Sequence, residues 1–218
     1  MIKILYKGKK SKINEKEIVK IFNNLKKIFS IDISVINIHI FDTRAEFSKE
    51  IKRETPEWLV ANASNYNLIN ILSPFAFEKE SSHHKNEFIQ VLKHEITHLF
   101  VHKLSKGNAL PKWLNEGIAS YFAKQHQKER EPIYVEEDFC KKLGTPKGWN
   151  DNVNYGAYSI ASLFVVFLIK KYSFNKIIEL ISSIDKNYDY RGFKDVFFKV
   201  YKKEIKEVEL LFVDSLNK

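Results

Sequence analysis

Phe88-Ile89-Gln90-Val91-Leu92-Lys93-His94-Glu95-Ile96-Thr97-His98-Leu99-Phe100-Val101-His102-Lys103-Leu104 repeats its apolar residues at helical spacing and holds neither Gly nor Pro. A long helix over Glu87 to Leu104, stopping near Gly107, is expected. At 3.6 residues per turn, His94 and His98 lie one above the other on one face, so two imidazoles can grip one ion together. Glu95 projects beside that ion, where it can take a proton from water instead of ligating. A His-Glu-x-x-His string arises by chance in roughly one such sequence in fifty, so a third ligand is required. Glu116 is the candidate, in Pro111-Lys112-Trp113-Leu114-Asn115-Glu116-Gly117-Ile118-Ala119-Ser120-Tyr121, which begins like a second helix. Two histidines and one glutamate leave one of the four positions around zinc open to water, as in catalytic sites; structural sites close all four.

Working outward from this helix, the pattern changes near residue 83. Upstream, β-branched runs such as Val35 to Phe41 and Leu68 to Leu72 alternate with helical patterns at 14–29 and 43–53. Pro74 should end the strand at 68–72. Downstream, helices are expected at 112–127, 134–142, 155–172, 174–184, 191–200 and 204–215. The fold class is therefore α+β: a mixed α/β lobe with a small sheet over 1–82, then a mainly helical lobe over 83–218. Both are read as parts of a single metallopeptidase-like domain, 1–218.

The two motifs together resemble the gluzincin metallopeptidases, the superfamily of thermolysin and the zinc aminopeptidases. His94, Glu95 and His98 match the family's HExxH helix, and Trp113-Leu114-Asn115-Glu116-Gly117 is similar to the segment bearing the glutamate ligand in the aminopeptidase branch. The resemblance covers residues 88 to 122 and extends weakly to 172. It implies a thermolysin-like catalytic domain with the zinc site between lobes, Zn2+ as cofactor, a peptide or protein as substrate, and Glu95 as general base. Tyr155-Gly156-Ala157-Tyr158-Ser159 opens an apolar helix much as a tyrosine-led helix does in those relatives, where the phenol stabilises the oxyanion. Tyr155 takes the matching position; Tyr158, one turn on, is the alternative. The strand at 68–72 is expected to be the sheet edge on which an extended peptide pairs, the other reading being an interior strand with its pairing complete.

Departures from the family narrow the expectation. The Gly-x-Met-Glu-Asn segment that holds a free amino terminus in zinc aminopeptidases is absent ahead of the zinc helix, which favours an endopeptidase. Ser120 stands where thermolysin-like enzymes carry an acid that orients a histidine. Val101 and Leu104 replace the Gly and His that a metzincin needs.

Composition sets the outer bounds. The 218 residues are 44% hydrophobic and 29% charged with 7 Gly and 5 Pro, which excludes collagen-like and disordered chains. A single cysteine, Cys140, excludes an internal disulfide framework and is read as a packing residue in a reducing compartment. Met1 to Tyr6 is too short an apolar run for a signal peptide, and Ile160 to Ile169 is half a bilayer span, so a cytoplasmic protein without a transmembrane segment is expected. The net charge, 36 − 27 = +9, is spread lysine without an Arg-rich tract, and no specific nucleic-acid partner is expected. Oligomeric state is left open. His39, His83, His84, His102 and His126 receive no ligand role. The stripe Ile160, Leu163, Phe164, Phe167 and Leu168 is read as core, and Ile205, Val208, Leu211, Phe212 and Leu216 as an internal or partner-facing stripe. The rival to a zinc peptidase is a non-catalytic peptide-binding or regulatory protein retaining the fold.

Overall fold

The computed structural model describes residues 1–8, 13–64, 67–125, 135, 138–186 and 189–216. His126 and parts of the helices expected at 112–127 and 134–142 lie outside them. The chain is α+β and divides into two compact units, Met1–Lys103 and Leu104–Lys218.

The first unit runs β1 (Ile2–Lys7), α1 (Glu15–Phe29), β2 (Ile36–Phe41), α2 (Arg44–Glu50), β3 (Ala61–Ser64), β4 (Leu68–Leu72), α3 (Pro74–Glu80), a short 3-10 turn (Lys85–Glu87) and α4 (Phe88–Leu104). The sheet order is β1-β2-β4-β3. β1 and β4 run parallel to β2, and β3 closes the sheet antiparallel to β4. Ile38 pairs with Ile69 and Ile40 with Ile71, so these four side chains share one face, and all are buried. Asn37 and His39 take the other. α1 starts where the Asn14 side chain accepts from Glu17 N and ends at Ser30 in the left-handed region. Its Phe22 and Phe29 each approach Phe100 of α4 to 5.6 Å between ring centres, which ties the two helices together.

The strand at 68–72 is not the sheet edge. β4 is paired on both sides, by β2 and by β3, and its near-continuous apolar run suits a strand covered on both faces. The edges are β1 and, beyond β4, β3, whose Ala-Asn-Ala-Ser sequence lacks the β-branched residues that mark a strand, and whose shortness fits the way edges avoid unwanted pairing.

The described part of the second unit is helical: α5 (Lys112–Ala123), α6 (Phe139–Lys142), α7 (Pro146–Asn152), α8 (Ala157–Tyr172), α9 (Phe174–Ser182), α10 (Tyr190–Tyr201) and α11 (Ile205–Leu216). Trp113 of α5 lies 5.1 Å from Phe164 and 6.1 Å from Phe193 between ring centres. Phe164 also meets Phe139, Phe167 and Phe212. The stripe on α8 is thus core, and the terminal stripe packs internally through Phe212. Among the described residues no single helix is long and apolar enough to cross a membrane.

Candidate metal centre

α4 is buried on most of its circumference, through Phe88, Val91, Leu92, Ile96, Leu99, Phe100 and Val101. A helix so enclosed carries its polar side chains in fixed positions. Its entry is fixed by Glu87, whose carboxylate accepts from His84 N at 3.1 Å and meets His83 Nδ1 at 2.8 Å. Thr97 satisfies its hydroxyl on Lys93 O within the helix, at 2.8 Å. One turn apart, the rings of His94 and His98 stand edge to face with centres 4.7 Å apart, and His94 is buried.

Glu116 on α5 is 7% exposed. An ionised carboxylate so enclosed needs cationic company. Lys112, one turn earlier, approaches Glu116 Oε1 to 3.4 Å while itself half-exposed. Ligand atoms of His94, His98 and Glu116 all lie within 4.8 Å of one another, a group that can hold a metal ion. Two imidazole nitrogens and one carboxylate oxygen suit a borderline divalent cation, and three protein donors leave room in a four-coordinate shell. The donor set therefore fits the ion that the sequence implies.

Glu95 faces a different neighbour. Its Oε2 accepts a hydrogen bond from Ala63 N at 2.6 Å. Val60 O accepts from Leu72 N, at 2.9 Å, and Asn62 stands opposite Asn70. By the two-residue alternation of an antiparallel ladder, the backbone groups of Ala61 and Ala63 therefore point off the outer edge of the sheet. The Glu95 carboxylate is thus anchored on the outer edge of the sheet.

The three grouped ligands do not include a tyrosine. Tyr155 ends a 3-10 turn, Val153–Tyr155, and is 79% exposed. Tyr158 is half-buried on α8 with its ring against Trp149 at 4.9 Å. Ser120 is fully buried, and its hydroxyl has no hydrogen-bond partner among the described residues. Cys140 is buried, and burial followed by the nearby Glu209 carboxylate pushes its thiol well above the ordinary value, which suits packing rather than nucleophilic work. Two features escaped the sequence reading. Lys112 beside Glu116 was visible as an i, i+4 pair. The Ala63 N–H is a backbone group in a strand with no apolar alternation, so nothing in the residue types announces it.

A two-histidine, one-glutamate group in which His94 and Glu116 are buried and His98 half-buried, with a separate carboxylate on a strand edge, defines a candidate metal-binding hydrolase. The chain belongs to the family described as "Peptidase of plants and bacteria", whose model matches residues 61–207, about two thirds of its length. The match opens at β3 and takes in the helices bearing His94, Glu95, His98 and Glu116. No curated protein and no solved structure matches the chain.

Proposed function

We propose that this protein is a zinc endopeptidase of the gluzincin kind, with a thermolysin-like catalytic domain in which His94, His98 and Glu116 hold the ion. A divalent cation bound there supplies Lewis acidity, lowering the pKa of water and polarising a carbonyl. Glu95 accepts a proton from the attacking water and delivers it to the leaving amine, so that the C–N bond breaks without a covalent enzyme intermediate. The free edge of β3 receives an extended stretch of substrate through Ala61 N–H and the Ala61 and Ala63 carbonyls. A phenol, from Tyr155 or else Tyr158, donates to the developing oxyanion.

The observation that carries this reading is the 2.6 Å hydrogen bond from Ala63 N to Glu95 Oε2. The bond sets the proposed base against β3, one of the two edge strands of the sheet, where an extended peptide can pair, and membership of a peptidase family supports the same chemistry. Zinc-loaded wild type should cut internal bonds of a peptide library. Glu95→Gln should hold zinc with similar affinity and cleave at least about 10²-fold more slowly. Zinc binding without cleavage by either protein would defeat the catalytic reading and leave a peptide-binding or regulatory protein.

A further inference from the structure

The segment that leads into the edge strand is held by one side chain. Arg44, at the start of α2, donates from Nη1 to Thr55 Oγ1 at 3.1 Å, Pro56 O at 2.7 Å and Leu59 O at 3.0 Å. Its Nη2 donates to Glu57 O at 2.8 Å. Nη2 and Nε both donate to Glu80 O, at 2.6 and 2.8 Å, so the same guanidinium fastens the segment to the end of α3. A planar five-donor fork is suited to gathering several carbonyls at once, and a lysine has no equivalent geometry. Leu59 N closes a turn on Pro56 O at 3.0 Å. The backbone on both sides of residue 58 is therefore committed.

Trp58 sits in the middle of this held turn and is 61% exposed. The other two tryptophans, Trp113 and Trp149, are buried to 0% and 3% exposure. A large aromatic ring left in water normally folds back onto the surface when its backbone is free to move. Here the carbonyls of Pro56, Glu57 and Leu59 are all occupied, so the turn cannot rearrange without breaking several hydrogen bonds to Arg44. Trp58 is displayed by a preorganised support, the condition under which a surface aromatic binds a partner with little ordering cost. It also precedes Ala61 by three residues, at most about 10 Å along the chain. A peptide paired along four residues of β3 spans roughly 13 Å. That separation is within reach of a peptide that runs past the Ala61 end of β3 by a residue or carries a long side chain there.

Building on the endopeptidase reading above, we infer that Trp58 is a specificity residue, receiving an apolar or aromatic side chain of the extended substrate at one fixed distance from the cleaved bond. Arg44 acts as the positioning residue that keeps it in place. The substrates are then peptides with a large apolar residue at that position, and Gly or Ser there is disfavoured.

The test uses the full chain loaded with zinc and internally quenched peptides in which each position in turn is Gly, Ala, Leu or Phe. Wild type should prefer Leu or Phe over Ala at one position by at least about tenfold in kcat/KM. Trp58→Ala should remove about tenfold of that preference, with the loss in KM and not in kcat, and Trp58→Phe should keep most of it. Arg44→Lys should weaken the same preference at the same position. In parallel, Glu95→Gln protein is titrated with the Leu and Gly peptides while acrylamide quenching of tryptophan emission is followed. The exposed indole dominates quenching, so the Leu peptide should lower the quenching constant and the Gly peptide should not. Equal selectivity in wild type and Trp58→Ala, or an indole no better protected by the Leu peptide, overturns the inference while leaving the peptidase reading intact. Failure of wild type to cut any peptide overturns the peptidase reading, and protection of Trp58 in the Glu95→Gln titration still decides the inference on its own.

Discussion

Gly117 follows the proposed ligand Glu116 on α5, and a methyl group there would lie 2.5 Å from Ala161 O and 2.8 Å from Val165 Cγ2 on α8. The glycine is needed for close approach of two helices, because a backbone oxygen cannot swing aside as a flexible side chain can. Gly117→Ala gains about 1 kcal/mol of helix propensity and loses about 1–3 kcal/mol to overpacking. The net expectation is destabilisation of up to about 2 kcal/mol in urea unfolding, together with weaker zinc binding as α5 shifts. An alanine variant as stable as wild type would show that the contact yields easily. Glu209 on α11 gives a second residue-scale test. It is buried, its Oε1 accepts from Cys140 N at 2.7 Å, and Oε2 has no hydrogen-bond partner among the described residues. Burial chiefly, partly offset by its bonds to Cys140, holds its carboxyl above the ordinary value. The fold therefore favours the protonated form. Its contribution to stability is complete below the ordinary carboxyl pKa and is lost as pH rises through the raised folded value. Glu209→Gln keeps the acceptor oxygen and cannot ionise, so its stability relative to wild type should improve as pH rises above the ordinary carboxyl range. A constant or reversed difference between the two denaturation curves would contradict this.

At the scale of elements, what was legible followed the strength of the pattern. The helix bearing His94 and His98 was bounded within a residue, and α9, α10 and α11 fall close to their expected ranges, because long apolar stripes are insensitive to neighbours. Two short helices, α3 and α7, were not expected, although Ser73-Pro74 and Thr145-Pro146 both signal a helix start. β1 stands in the sequence only as a short apolar run. β3 was invisible, and that shifted the expected substrate edge one strand inward. Its role in anchoring Glu95 can be probed by Ala63→Pro. The Ala63 N–H lies outside the sheet ladder, so proline there is tolerable on an edge strand. The variant should unfold within a few degrees of wild type, by roughly 1 kcal/mol at most, yet cleave peptides at least about tenfold more slowly because Glu95 loses its donor. Unchanged turnover would mean that the anchor has no part in the chemistry.

At the scale of the whole molecule, the grouping of His94, His98 and Glu116 was legible in the sequence, and the order of the strands was not. His94, Glu95, His98 and Glu116 stand out because ligand chemistry restricts residue type and spacing, whereas the order of four strands depends on tertiary pairing that no single segment encodes. The chain divides into its compact units between Lys103 and Leu104, at the end of a continuous helix, where the sequence offers no Gly- or Pro-rich break. The net charge of +9 says nothing further about this architecture, since charge bears on association rather than on fold.

The central claim is that one divalent cation is held jointly by two imidazoles and a carboxylate drawn from α4 and α5. Anomalous diffraction at the zinc edge from crystals of the zinc-loaded protein tests it most directly. A single strong peak with His94, His98 and Glu116 at about 2.0–2.2 Å, and Glu95 outside that shell, is the expected result. A peak on other residues, or these three side chains turned apart with zinc in excess, would contradict it.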